Sequence, residues 1–252
     1  MRIRLIDELA ALGPTFTLDQ AKKVLGGEAN LAGDLLYRLE RRGWVERLEQ
    51  GKYMIIPLGA EKGKYTLHEF LIASMLVNPY SIAYWSALHH YGLTEQPPGV
   101  IFVQTTARKK KQELEVLGLG YRVVRVVERK FFGFRKEWIE ETQINITDRE
   151  KTVIDCLDLP QYAGGVIEVA KALKRGEFDW ERMIGYLERF GNTGVNRRLG
   201  YLCDHLGLDV DLPAVNTRNY LLLDPTMPGD GVRNARWRLI VNLDEKSLGE
   251  LE

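Results

Sequence analysis

The side chains most suited to binding a polyanion lie between residues 30 and 42. Arg38, Arg41 and Arg42 carry guanidinium groups, which donate paired hydrogen bonds to phosphate oxygens or to the O6 and N7 atoms of guanine. Asn30 has the amide donor and acceptor that pair with adenine, and Tyr37 adds a ring with a hydroxyl group. We expect Asn30, Tyr37 and Arg38 to meet base edges and the other cations to meet phosphates.

A helix is needed to present these groups on one side, and the neighbouring leucines predict it. Four leucines between Leu31 and Leu39 recur at three- and four-residue steps, as the buried face of a helix does. The predicted helix begins near Ala29 and ends at Gly43. Arg42 falls near the boundary between its two faces, so its outward position is less well fixed by the pattern than that of Arg38.

Two shorter patterns precede this helix. Residues 3–10 carry apolar side chains at helical spacing and predict a supporting first helix. Thr17 and Gln20 have the spacing of a capping box, in which each side chain satisfies a free backbone N–H group at a helix start. Gly26-Gly27 then supply a turn before the outward-facing helix.

A predicted hairpin completes a winged helix-turn-helix. Residues 44–48 and 53–57 are β-prone and flank a short turn, which places Lys52 near the tip of the wing. A small domain of this kind can also serve protein contacts, and nine Lys/Arg against eight Asp/Glu through Leu58 leave both partners open. The predicted DNA-binding residues are Thr17, Asn30, Gly33, Asp34, Tyr37, Arg38, Arg41, Arg42 and Lys52.

The composition favours a folded cytoplasmic protein. The chain has 252 residues, 45% of them hydrophobic, with 35 Lys+Arg and 35 Asp+Glu, so nucleic-acid binding must come from local patches. No stretch approaches the roughly 18 apolar residues of a membrane span. We expect Cys156 and Cys203 to be buried reduced thiols. No cofactor or metal is expected.

The fold class predicted for the whole chain is α+β. We expect the winged helix at residues 1–58, a linker at 59–65, and a mixed region at 66–252 that divides into 66–146 and a mainly helical 147–252. Capping boxes at Thr66 and Thr147 predict helix starts, and the apolar pattern after Ser81 predicts another. The predicted strand segments lie at 100–106, 121–127, 131–134 and 138–146, and a final run at 235–243 is expected to return to their sheet.

The strongest local excess of charge lies between Gln104 and Lys136, with ten Lys/Arg and three acidic residues. Residues 129–136 combine four cations with three aromatic rings, which suits phosphate contact together with base stacking. A solvated strand edge kept from aggregation by its lysines has the same pattern. An acidic protein is a further possible partner. The residues of this second basic surface are Arg108, Lys109, Lys110, Lys111, Arg129, Lys130, Arg135 and Lys136.

Catalytic motifs are missing from the sequence. It contains no P-loop, no G-x-S-x-G, no C-x-x-C pair and no H-E-x-x-H, so we expect no enzymatic activity. The alternative is a metal-dependent nuclease that gathers carboxylates beside the lysine cluster. Its candidate ligands are Glu113, Glu115, Asp148 and Asp155.

Several segments resemble the AbiEi family of antitoxins and transcriptional regulators. The likeness is carried by the recognition block at 30–57, the YWSAL helix at 84–88 with HYGL after it, the strand VIFVQTT before a lysine run, and the segment at 146–173. The last combines a capped helix, a proline stop and Ala-Gly-Gly before another helix.

This resemblance implies a repressor that binds repeats in its own promoter as the antitoxin of a type IV toxin–antitoxin operon. It also implies that the C-terminal region carries antitoxicity, that the neighbouring gene product is a nucleotidyltransferase-like toxin, and that this chain has no catalytic activity. Similar proteins occur as stand-alone regulators, so the presence of a toxin and direct contact with it stay open. Two half-sites can be filled by a homodimer or by two monomers.

Overall fold

The computed structural model describes residues 2–24, 29–57 and 67–243. The predicted turn at Gly26-Gly27, the linker at 59–65 and the predicted cap Thr66 lie outside these ranges. The predicted division into domains at residues 58 and 66 therefore stays a proposal.

The N-terminal part has the order of elements expected of a winged helix. It comprises α1 (Arg2–Ala10), β1 (Thr15–Thr17), α2 (Leu18–Val24), α3 (Ala29–Arg41), β2 (Val45–Glu49) and β3 (Lys52–Ile55). The capping box at the start of α2 is formed: the Thr17 backbone N–H donates to Gln20 Oε1 (2.7 Å), and the Gln20 N–H donates to Thr17 Oγ1 (3.2 Å). Strand β1 was missed from the sequence because it has three residues; it pairs antiparallel with β3.

The middle of the chain is built on a six-stranded mixed sheet. Its elements are α4 (Glu69–Leu76), β4 (Ser81–Ile82), α5 (Tyr84–His90), β5 (Val100–Thr105), β6 (Glu113–Val116), β7 (Leu119–Arg125), β8 (Phe134–Ile139) and β9 (Thr142–Thr147). The strand order is β6-β7-β5-β4-β9-β8, with β5 parallel to β7 and β4 parallel to β9.

The C-terminal part is mainly helical and ends in a second small sheet. Its elements are α6 (Arg149–Asp158), α7 (Val166–Arg175), α8 (Trp180–Phe190), α9 (Thr193–His205), β10 (Leu221–Leu222), β11 (Val232–Asn234) and β12 (Leu239–Val241). Strand β12 pairs with β10 and β11 and not with the six-stranded sheet, so the expected return of residues 235–243 to that sheet is wrong.

Three helix starts differ from the sequence prediction. Helix α4 begins after His68, whose ring Nδ1 accepts from the Phe70 N–H (3.2 Å). Helix α6 is capped by Asp148, because Thr147 still pairs with Phe134 as the last residue of β9. The helix expected from Ser81 begins only at Tyr84, since Ser81 and Ile82 pair with β5.

The wing is shared between two hydrophobic cores. One core lies inside the winged helix and joins α1, α3, β1 and β2 around Leu9, Phe16 and Leu36. The outer side of the wing, through Leu48, Met54 and Ile56, instead packs into the core formed by α4 and the six-stranded sheet. The winged helix is therefore held against the middle of the molecule by apolar contact, and one side of the wing is buried.

Among the described residues, no helix has the length and apolar character needed to cross a bilayer.

Candidate nucleic-acid interface

The outward face of helix α3 is uncovered. Tyr37 is 59% exposed, and Asp34, Arg38 and Arg41 are exposed as well. The Arg41 guanidinium lies 6.0 Å from the centre of the Tyr37 ring, and Arg38 Nε donates to the Asp34 carbonyl oxygen at 3.3 Å. Neither contact buries the guanidinium group, so both arginines keep most of their donors available for a ligand.

The opposite face of α3 fixes this surface in place. Ala32, Leu36 and Leu39 are buried, and the last two pack into the core of the winged helix. A helix anchored by such a stripe presents the residues between the anchors to the outside with a defined orientation. The predicted split is confirmed for the buried Leu36 and Leu39 and for the exposed Asp34, Tyr37, Arg38 and Arg41, whereas Gly33 and Leu35 are half-buried.

Four further predicted residues occupy different settings around this face. The Thr17 hydroxyl caps α2, and Gly33 lies on α3 with open space where a side chain would begin. Arg42 is exposed in the turn after α3, where its backbone N–H donates to the Leu39 carbonyl (3.2 Å). Asn30 belongs to the first turn of α3, and its side chain lies outside what the structure describes.

Lys52 does not project from the wing as expected. Its ammonium group donates to Glu49 Oε2 (2.8 Å) and to the Leu76 carbonyl oxygen at the end of α4 (2.8 Å), and its side chain is 23% exposed. Because the wing packs against α4, the residue that the hairpin pattern places at a free tip faces the rest of the protein. Because the Lys52 ammonium group is hydrogen-bonded within the protein, we no longer include Lys52 among the residues proposed to contact DNA.

The second basic surface also contains internal members. Lys109 donates to both carboxylate oxygens of Glu49 (2.7 and 3.0 Å) and to the Leu76 carbonyl (2.9 Å), with 13% of its side chain exposed. Lys130 pairs with Asp158 (2.6 Å) beneath the Phe190 ring. Six members are exposed: Arg108, Lys110, Lys111, Arg129, Arg135 and Lys136.

The exposed members belong to three parts of the chain. Arg108, Lys110 and Lys111 lie in the loop between β5 and β6, beside the wing. Arg129 lies in a short 3-10 helix at Glu128–Lys130. Arg135 and Lys136 belong to the edge strand β8, where Arg135 Nε pairs with Glu137 (2.7 Å) and Trp138 is exposed. The internal pairing of Lys109 and Lys130 interrupts the predicted surface along the chain.

Glu49 is a functional candidate that was not predicted from the sequence. Its carboxylate accepts from both Lys52 and Lys109, residues 57 positions apart in the chain. Burial raises the pKa of this carboxyl group, but hydrogen bonds and charges from the two lysines outweigh that effect and leave the pKa below its ordinary value. No local pattern could reveal such a pairing, because it depends on how the wing docks.

The carboxylates of the nuclease alternative are separated. Asp155 is fully buried and paired with Lys151, Glu113 pairs with Arg122, and Asp148 caps α6. Within residues 2–24, 29–57 and 67–243, no three His, Cys, Asp or Glu side chains are arranged to hold a metal ion.

A known family shares the sequence of the part that presents α3. Residues 4–56 match the family of transcriptional regulators described as AbiEi antitoxin. The match runs from α1 through β3 and covers about a fifth of the chain. The similarity to AbiEi regulators is therefore shown for the winged helix, and the match does not extend to the C-terminal segments.

The fold of the whole chain has a counterpart among solved structures. The crystal structure of the RV2827C protein from Mycobacterium tuberculosis is similar over 98% of this chain and 93% of its own, with a TM-score of 0.67 and 17% sequence identity. At this identity the likeness concerns the fold alone. No curated protein sequence matches the chain.

Proposed function

We propose that this protein is a DNA-binding repressor that recognises repeats in its own promoter and serves as the antitoxin of a type IV toxin–antitoxin operon in the cytoplasm. The uncovered face of α3 supports this reading most directly. Tyr37, Arg38 and Arg41 stand on the outer side of an anchored helix, within a domain whose sequence family is one of transcriptional regulators.

The proposed mechanism is occupancy of the promoter. Helix α3 enters the major groove, which is wide enough for an α-helix and displays a different pattern of donors and acceptors for each base pair. Arg38 contacts a base edge, and Arg41 and Arg42 contact phosphates beside it. Protein bound at this position excludes RNA polymerase. No step of this mechanism requires a cofactor or a chemical reaction.

The antitoxin part of the proposal assigns a second role to residues 66–252, toward a nucleotidyltransferase-like toxin encoded next to this gene. It draws on the family of the N-terminal domain and on the C-terminal segments that resemble AbiEi proteins. The two roles are separable in principle, because the α3 face belongs to the winged helix and the assigned antitoxin region follows it.

One experiment in cells tests both parts with the full chain. The promoter drives a reporter, the neighbouring gene is induced separately, and wild type is compared with the double variant Arg38→Ala/Arg41→Ala. We expect wild type to repress the reporter and to rescue growth. The variant should lose repression by at least tenfold and keep rescue, because its α3 face is altered and residues 66–252 are intact.

The other outcomes are equally informative. A wild-type protein that leaves the reporter active contradicts the repressor role. A neighbouring product that does not inhibit growth identifies a stand-alone regulator without a toxin. If the double variant accumulates normally but loses rescue together with repression, antitoxicity depends on DNA binding and its assignment to residues 66–252 is wrong.

A further inference from the structure

The loop between β5 and β6 lies directly beside the wing. Its Lys109 reaches Glu49, the last residue of β2, and Leu76, the last residue of α4. Lys52, the first residue of β3, reaches the same two partners. Two ammonium groups thus share one carboxylate and one carbonyl oxygen, and they connect the tip of the wing, α4 and the loop at a single point.

The neighbours of Lys109 face outward. Arg108, Lys110 and Lys111 are exposed, and the structure gives none of the three an ion pair with a described residue. Lys111 is two residues from Lys109, which is at most about 7 Å of extended chain. The loop is supported from behind by Arg125, whose Nε donates to the Thr106 carbonyl oxygen (3.1 Å). Three cations that form no ion pair with a described residue therefore lie within a short distance of the wing tip.

The charge of the winged helix makes this position significant. Through Leu58 the domain carries nine Lys/Arg against eight Asp/Glu, and Lys52 is paired internally. A wing normally holds the DNA backbone flanking the groove that the recognition helix enters, and that contact requires cations. Here the cations at the wing tip are supplied by the loop, which is distant in sequence.

We infer that the loop at residues 106–112 is a phosphate-binding arm of the duplex interface, with Lys110 and Lys111 contacting the DNA backbone and Lys109 holding the arm to the wing through Glu49. This inference rests on the proposed DNA-binding function and extends its interface beyond the winged helix. Arg129 and Lys136 belong to other parts of the chain, and we assign them no contact with the DNA backbone.

The salt dependence of duplex binding tests the inference. Each phosphate contact made by a cation contributes about one unit to the slope of log K against log salt concentration. The double variant Lys110→Gln/Lys111→Gln should lower that slope by about two, and it should weaken binding to the promoter duplex and to a scrambled duplex alike. The measurement uses the full chain and fluorescence anisotropy of labelled duplexes over a range of salt concentrations.

A matched control locates the effect. Arg129→Gln/Lys136→Gln removes the same number of exposed charges from another part of the molecule and should leave the slope within about half a unit of wild type. Equal reductions by both double variants would show a general field effect and overturn the inference.

The test also separates this inference from the function on which it rests. If wild type prefers the promoter duplex, Arg38→Ala weakens that preference and the loop variant keeps the wild-type slope, the arm is refuted and the repressor role stands. If wild type shows no preference for the promoter duplex over the scrambled one, both are refuted.

Discussion

Replacing Arg38 by alanine should weaken binding to the promoter duplex by about 1–3 kcal/mol, or about 5- to 150-fold. Arg38 is exposed on the anchored helix α3, and its only described contact is a 3.3 Å hydrogen bond to the carbonyl of Asp34 on its own helix. Its removal should cost little folding stability and take away a base contact. The loss should be smaller on a scrambled duplex, because a base contact contributes only where the matching base is present.

The same titrations with Arg218→Ala provide the control. Arg218 is also an exposed arginine, but it lies in the loop between α9 and β10, far from the winged helix in sequence. Its replacement changes the net charge by the same amount and should leave the preference for the promoter duplex intact. Equal affinities of wild type and Arg38→Ala for that duplex would reject the assignment of Arg38 to a base.

Replacing Lys151 by alanine should lower the free energy of unfolding by about 3–5 kcal/mol at neutral pH. Lys151 is fully buried in α6, pairs with Asp155 one turn later and lies 5.1 and 5.2 Å from the centres of the Phe132 and Phe190 rings. Asp155 is 1% exposed. Without the ammonium group, this carboxylate would stay buried with no compensating charge, which is far more costly than a lost surface ion pair.

The loss from Lys151→Ala should become smaller as the pH falls. Burial raises the pKa of Asp155 in the native protein, although Lys151 acts to lower it. Removing Lys151 therefore raises that pKa further, and the folded variant binds a proton more tightly than the unfolded chain does. The free energy of unfolding of Lys151→Ala, relative to that of wild type, is therefore greatest below the ordinary pKa of Asp. It decreases as the pH rises through the raised pKa of Asp155 in the variant. Urea unfolding between pH 4 and pH 7 measures the effect.

The double variant Lys151→Met/Asp155→Leu controls for the charge. It removes both partners and fills the space with apolar groups, a change that is often neutral or stabilising for a buried pair. We expect it to unfold within about 1.5 kcal/mol of wild type. If Lys151→Ala lowers the free energy of unfolding by less than about 1 kcal/mol at pH 7, Asp155 does not depend on Lys151 for compensation of its charge.

Local pattern was sufficient where neighbours in sequence decide the structure. The leucine spacing before Arg41 placed α3 and its exposed face, and the Thr17–Gln20 capping box is formed as predicted. Helix starts were misplaced where a strand intervened. Ser81 and Thr147 have the residue types of a helix cap, but both pair in the six-stranded sheet, so their helices begin later.

Charge was the least predictable property of the interface. The sequence gives no sign that Lys52 and Lys109 are paired. Because the wing docks on α4, both lysines donate hydrogen bonds to Glu49 and to the Leu76 carbonyl oxygen. A run of four basic residues from Arg108 to Lys111 thus contains three exposed side chains and one partly buried side chain, Lys109, that pairs internally with Glu49. Such a division depends on long-range packing, which a window of local sequence does not contain.

Site-directed cross-linking tests directly whether the outer face of α3 lies in the groove of a duplex, because it reports which bases lie near a labelled side chain. Cys156 and Cys203 are buried, and burial raises the pKa of both thiols, so a cysteine introduced at the surface reacts selectively. Asp34→Cys on α3 and Glu181→Cys on α8 replace exposed acidic residues and receive the same photoreactive label. We predict cross-links from position 34 to a few adjacent bases of each promoter repeat and almost none from position 181. If the labelled protein still binds the duplex but position 34 gives no cross-links, or no more than position 181 gives, the outer face of α3 does not lie in the groove.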